Sequence, residues 1–300
     1  MRFWALDSYH SWAQAAVMVA NARGHRGYRV ARGEEVGDEG FGFIRLSMEP
    51  DVLPVNRRDY AVMASRLTMI QDATQVRLYE DKSGQFAEWP EWMPDTWRFT
   101  DRAAAMAFLA TAEYPIVSKA DTGASSVNVR VIGTRTEAER HIAQVFGSGL
   151  PISRGLTQRG YVLLQRFIPH SITYRVNAVG DCRAVFYRSC YPDRPVAQTG
   201  NVRPAMEMTD EVESLLEYAD RFFAHAGTKW CAIDILRDGD QWRLLETSEG
   251  WPWPSPGRCN EAPIFRSKSR KWAQMWEAMF DEIERGAWSD SSARAASSCT

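Results

Sequence analysis

Pro115-Ile116-Val117-Ser118-Lys119-Ala120-Asp121-Thr122-Gly123-Ala124-Ser125-Ser126-Val127 runs from an apolar strand into a loop of small residues, with a lysine at the junction. Gly and Ser let backbone amides approach anionic oxygens, and the ammonium adds a point charge. The stretch therefore predicts a strand over 115–120 followed by a loop able to close over phosphates. It is not a P-loop, because no Gly-Lys-Ser/Thr follows at the required spacing. Taken alone, the same residues also fit an edge-strand lysine beside a surface turn.

The flanking sequence places this stretch in an α+β arrangement. Upstream, Asp101–Ala112 reads as a helix and the Trp/Pro-rich Trp89–Trp97 as irregular connection, as does Asp81-Lys82-Ser83-Gly84. Residues 1–50 alternate strand (Arg2–Leu6), helix (Ser11–Arg23) and strands (Gly27–Ala31, Phe41–Leu46), a βαβ opening that favours a parallel sheet. Asn56–Ile70 carries helical spacing at Tyr60, Met63, Leu67 and Ile70, and a domain boundary is expected near 75–100. Downstream, Val127–Ile132 reads as a strand, and Thr134-x-x-Glu137 as a capping box opening a helix. Three strand-like runs follow (Tyr161–Ile168, Thr173–Val179, Arg183–Cys190), then a loop with two prolines and Gly200, and a helix over Asp210–Ala226. Two strands joined by Asp238-Gly239-Asp240 and a closing helix over Trp272–Arg285 complete the chain, with a small, polar tail from Ser289 that reads as disordered.

The closing hairpin carries the second chemical signal. In Cys231-Ala232-Ile233-Asp234-Ile235-Leu236 and Trp242-Arg243-Leu244-Leu245-Glu246-Thr247-Ser248, Asp234 and Glu246 stand in apolar strands and can share one face. Uncompensated carboxylates are costly there. A hard cation such as Mg²⁺ bridging nucleotide phosphates would compensate them, and so would an ion pair with Arg175 or Arg188.

Composition bounds the alternatives. The 300 residues hold 36 Lys and Arg against 38 Asp and Glu, a formal charge of −2, so no global basic field supports sequence-independent nucleic-acid binding. The longest apolar runs, such as Ala103–Ala110, fall short of the roughly 20 residues that cross a bilayer, and Asp7 interrupts the N-terminal apolar stretch, so a cytoplasmic protein without a membrane partner is expected. Five scattered cysteines and five scattered histidines predict neither a zinc site nor a disulfide framework. His170 and His225 have no nucleophile arrangement near them, which removes Ser/His and Cys/His hydrolysis. Trp89, Trp92, Trp97, Trp251 and Trp253 read mainly as loop packing, and Arg194 and Arg203 as solvated.

Taken in order across about residues 80–255, these features resemble the ATP-grasp superfamily, for example glutathione synthetase and D-alanine:D-alanine ligase. Asp81-Lys82 with Met93-Pro94-Asp95-Thr96, and Pro115–Val127, are similar to its two lysine segments. The resemblance implies that Lys82 and Lys119 bind nucleotide phosphates beneath a lid containing Ser125 and Ser126. Val162-Leu163-Leu164-Gln165-Arg166-Phe167-Ile168 resembles the strand leading into the adenine hinge, which nominates Gln165 and backbone groups of Arg166, Phe167 and Ile168. Tyr174-Arg175-Val176 resembles its Asp-x-Arg-Val strand, nominating Arg175, with Arg188 in an apolar strand, as the arginines facing phosphoryl or acyl-phosphate oxygens. Asp234, Glu246 and Ser248 fall where the family holds its metal. Ser248 replaces an Asn, with Glu249 as a substitute ligand and Asn201 as a further polar group. Gln165-Arg166 lacks the acidic residue that often holds the ribose.

The fold implied is an N-terminal βαβ subdomain (1–80) before an ATP-grasp domain (81–286), divided into a lid-bearing part (81–168) and a metal-binding part (169–286), with a tail over 287–300. The activity implied is an ATP- and Mg²⁺-dependent carboxylate–amine ligase that forms an amide through an acyl phosphate, releasing ADP and phosphate. Its substrates would be small carboxylates and amines, including an amino acid, a peptide end or an amine-bearing base, and a homodimer is compatible with it. A small-molecule kinase or a catalytically silent nucleotide-binding module would share the fold.

Overall fold

Alternation of buried residues along β1 (Arg2–Leu6) packs Phe3 and Ala5 beneath α1 (Trp12–Ala22), while Leu6 turns to the opposite side. β1 pairs in parallel with β2 (Arg26–Val30) and with β3 (Phe41–Ile44), as the βαβ reading predicted. The computed structural model describes residues 1–6, 12–123, 128–191, 194–205, 207–249 and 268–288. α2 (Leu53–Ala64) covers the other face of this sheet through Leu53, Tyr60 and Met63. It stops short of the expected Ile70, because Thr68 and Met69 leave the helix to form β4 (Thr68–Met69) in parallel with β3. The sheet order is β2-β1-β3-β4.

Two short helices lead out of it. In α3 (Ala73–Leu78) the Asp72 side chain accepts from the Gln75 amide, and in α4 (Lys82–Glu88) Asp81 accepts from the Gly84 amide, each at 2.8 Å. Asp81-Lys82-Ser83-Gly84, expected as irregular chain, is thus a capped helix start.

The second sheet is antiparallel, in the order β5-β10-β6-β7. Its parts are β5 (Thr96–Phe99), α5 (Arg102–Phe108), β6 (Ile116–Lys119), β7 (Val129–Ile132), α6 (Arg135–Phe146), the small ribbon β8 (Leu150–Pro151) with β9 (Thr157–Gln158), and β10 (Val162–Arg166). α5 and α6 close one face through Ala105, Leu109, Ala138 and Ile142 against Ile116, Val162 and Leu164. Thr134 caps α6 as predicted, at 3.3 Å from the Glu137 amide, but the Glu137 carboxylate accepts from Gly133 N at 2.8 Å, one residue before the reciprocal position.

The third sheet, β13-β12-β11-β14-β15, is also antiparallel. It comprises β11 (Ile172–Val179), β12 (Cys182–Tyr191), β13 (Arg194–Pro204), α7 (Asp210–Ala226), β14 (Trp230–Asp238) and β15 (Gln241–Ser248). The expected Pro/Gly loop after Cys190 is instead edge strand β13, irregularly registered on β12. An edge is where a sheet tolerates proline. α7 ends at Gly227, whose φ of 66° suits a left-handed C-cap. It packs Val212, Leu215 and Phe222 on Tyr174, Val176, Ile233 and Ile235, so strand alternation turns Thr173, Arg175 and Asp234 to the opposite face.

α8 (Lys268–Glu284) returns to the first sheet and lies on α1. Trp276 contacts Phe3, Trp12, Phe43 and Trp230, tying the first and third sheets together. Among the described residues no helix is long and apolar enough to cross a membrane. The sequence segments Ala124–Val127, with Ser125 and Ser126, and Ser289–Thr300 lie outside the described residues, as do Trp251, Trp253 and the Asn201 side chain.

Candidate functional site

A cleft separates the second and third sheets. Its walls bring together Lys82, Lys119, Gln165, Arg166, Phe167, Ile168, Arg188, Asp234 and Glu246, which stand far apart in sequence. Val117, Val129, Val131, Leu236 and Leu245 supply an apolar lining.

Lys119 ends β6, where strand direction carries its side chain into the cleft. It is 8% exposed, and its one hydrogen bond among the described residues is a long one, 3.5 Å, to the Leu245 carbonyl. Burial drives its pKa down to about 8, against the attraction of Glu246 and with the repulsion of Lys82. A buried ammonium with donors to spare fits an anion. Lys82, in the first turn of α4, sits 3.3 Å from Glu246 and donates to the carbonyls of Asp121 (3.3 Å) and Gly123 (3.1 Å). The loop after β6 is held further by Ser83 N to Asp121 Oδ1 (2.8 Å) and Gly123 N to Glu80 Oε2 (2.6 Å). Glu80 reaches it from a left-handed backbone, φ 58°.

Asp234 and Glu246 are register partners on β14 and β15, on one face as the sequence suggested. Asp234, however, is already claimed. Arg175, its partner across β11 and β14, donates Nε to Oδ1 at 2.7 Å and Nη2 to Oδ2 at 2.8 Å, and Arg188 Nη1 reaches Oδ2 at 3.4 Å. Burial would raise the Asp234 pKa, but the two guanidiniums hold it below the usual carboxylate range. Arg175 Nη2 also donates to Ser248 Oγ at 3.2 Å. Arg188 faces the cleft with its buried Nε unpartnered.

The residues present therefore fit the phosphates of a nucleotide and, as placed, do not fit the expected metal set. Asp234 and Ser248 turn their oxygens to Arg175, and among the described residues no group of three His, Cys, Asp or Glu is placed to hold a metal ion. Glu249 is not the substitute ligand expected. It is buried toward the first sheet, accepting from Arg45 Nη1 (2.8 Å), Leu46 N (3.2 Å) and Gln71 Nε2 (3.2 Å). Nor does Arg175 face transferring oxygens. It lies beneath Asp234, and Arg188 is the arginine at the cleft surface.

At the other end of the cleft, Gln165 is buried and bonded to Thr96 Oγ1 at 2.8 Å. The Arg166 amide donates to Asp95 O (2.8 Å), and its guanidinium bridges Asp95 (3.0 Å) and Asp238 (2.6 Å), joining the second sheet to the third. Phe167 and Ile168 remain to line the cleft. His170, which the sequence reading weighed only as a hydrolytic residue, lines it too, and its signal was its place two residues after that hinge.

No protein-family model and no curated protein sequence matches the chain. Solved structures do. A RimK domain ATP-grasp protein from Sphaerobacter thermophilus superposes over 95% of this chain and 100% of its own (TM-score 0.59, 18% identity). The ATP-grasp ligase PsnB, complexed with minimal precursor, Mg and ADP, covers 95% and 98% (0.57, 14%). D-alanine–D-alanine ligase from Bacillus anthracis complexed with ATP covers 97% and 99% (0.57, 11%). The chain has the ATP-grasp fold, an α+β architecture spanning nearly its whole length.

Proposed function

We propose that this protein is an ATP-dependent ligase joining a carboxylate to an amine through an acyl phosphate, with release of ADP and phosphate. The observation that carries the reading is Lys119, a buried, under-coordinated ammonium facing a cleft that also presents Lys82 and Arg188. ATP in the D-alanine–D-alanine ligase complex and ADP with Mg in the PsnB complex support a nucleotide as the anion. Lys119 and Lys82 would neutralise its phosphates, and Arg188 would stabilise charge on the oxygens in transfer. The apolar walls and the loop tied down by Lys82 and Glu80 would keep water from a hydrolysable acyl phosphate. No step needs a nucleophile from the protein. Residues 81–168 and 169–286 would act as the two halves closing on the nucleotide, and 1–80, with the precursor-binding role of PsnB in view, would help receive a small or peptide-borne carboxylate and amine.

Thermal unfolding with a non-hydrolysable ATP analogue, with and without Mg²⁺, tests this on the wild type and Lys119→Ala. At ligand near 100 times Kd the stabilisation is about 2.7 kcal/mol. The shift should vanish in Lys119→Ala, and ADP release should then require both a carboxylate and an amine. Phosphorylated product formed without any amine would instead select a kinase, and no shift at millimolar analogue would end the nucleotide reading.

A further inference from the structure

Gln85, within α4, is buried with its side-chain amide spent on backbone groups. Nε2 donates to the Leu78 carbonyl at 3.0 Å and to the Thr247 carbonyl at 3.1 Å, and Oε1 accepts from the Thr247 amide at 2.9 Å. The partners fix the orientation of the amide, since a backbone N–H needs an oxygen and two carbonyls need donors. Thr247 stands between Glu246 and Ser248 on β15, the edge strand of the third sheet among the described residues. Gln85 thus takes both backbone groups of Thr247 on the side where a further strand would pair.

That tie falls where the strand is least regular. Glu246 faces Asp234 and Leu244 faces Ile235, so Leu245 is the extra residue of a bulge, and its carbonyl is the group that Lys119 reaches at 3.5 Å. Lys82 and Gln85, three residues apart, share one face of α4. The same helical turn therefore sets Gln85 on the Thr247 backbone and Lys82 3.3 Å from the Glu246 carboxylate. Phe86 and Trp89 attach α4 to the third sheet by apolar contact, which brings helix and strand together without fixing how one slides along the other. Directional hydrogen bonds fix it. Resting on the nucleotide reading above, we propose that Gln85 is a positioning residue: through Thr247 it sets the register of α4 on β15 and so holds Lys82 where a nucleotide phosphate would meet it.

The test is a double-mutant cycle on calorimetric ADP affinity, using the wild type, Gln85→Met, Lys82→Met and the double variant. Methionine keeps the length of each side chain and removes its hydrogen bonds. Lys82→Met should weaken ADP about 10- to 100-fold, the worth of a charge-assisted bond. Gln85→Met should weaken it about three- to tenfold when Lys82 is present and leave it unchanged when Lys82 is absent. A side chain that only supported the fold would cost the same factor in both backgrounds. That result, or unchanged ADP affinity in either single variant, overturns the assignment while leaving the nucleotide site intact. Hydrogen exchange at the Thr247 amide of the wild type needs no variant to fold: it should be as slow as at the ladder amides of β14, and the rate of a solvent-exposed edge amide overturns the assignment too. Absence of any ADP binding by the wild type overturns the nucleotide reading, and this inference with it.

Discussion

Arg175 and Asp234 meet across adjacent strands as a buried two-point ion pair, 2.7 and 2.8 Å, at the floor of the cleft. Asp234→Asn leaves Arg175 buried without its counter-charge and should cost about 3–5 kcal/mol in urea unfolding. Replacing both partners, Arg175→Met with Asp234→Leu, should recover much of that. Because the folded Asp234 pKa lies below its unfolded value of about 3.9, its contribution is complete above that pH and is lost as pH falls through the folded value. The wild type should therefore lose stability more steeply below about pH 4 than Asp234→Asn does.

Lys119 gives a slope of the same sign in a more alkaline window. Its folded pKa, about 8, lies below the unfolded value, so between them the unfolded chain holds a proton that the native one has released. Stability of the free protein should rise with pH across that window. Lys119→Met should abolish the rise and stabilise the free protein at neutral pH, where the wild type keeps an ammonium buried. Stabilisation by a nucleotide analogue should run the other way, weakening as pH climbs past the Lys119 pKa. A pH series of melts with and without analogue checks both.

Glu80 holds the loop after β6 through a charge-assisted bond to the Gly123 amide. Loss of such a bond is worth about 1.5–3 kcal/mol, or roughly a 10- to 100-fold faster local exchange. Hydrogen exchange at Gly123 should accelerate by that order in Glu80→Ala and much less in Glu80→Gln.

Trp276 carries the attachment of α8. Truncation to Ala empties the space between Phe3, Phe43 and Trp230 and should cost about 3–5 kcal/mol. Arg23, bonded at the surface to Glu277, Asp281 and Glu284, should matter far less: Arg23→Ala is expected to cost no more than about 1 kcal/mol and to be sensitive to salt. Urea midpoints at low and high ionic strength separate the two.

Much of this architecture was legible from local pattern. The β1–α1–β2 opening, the Asp210–Ala226 helix and the β14–β15 hairpin follow from periodicity, a helix cap and a Gly turn, signals that act within a few residues. The segment from Asp81 was less legible, because one capping aspartate outweighed the Ser and Gly that suggested loop. β13 was illegible because pairing with β12, not propensity, makes it a strand.

The sequence by itself determined that a lysine would end a strand before a small-residue loop and that two carboxylates would share a face. Strand alternation and backbone sterics are local, so no partner need be known to predict them. Only the tertiary structure decided what those groups meet. Asp234 could have been satisfied by a cation in solution or by an arginine, and the choice rested on the β11–β14 register that sets Arg175 directly opposite it. The same packing turned Glu249 away to Arg45 and brought His170 to the cleft. Buried charges are satisfied by whatever lies within about 3 Å, and that neighbourhood exists only once the sheets have closed on one another.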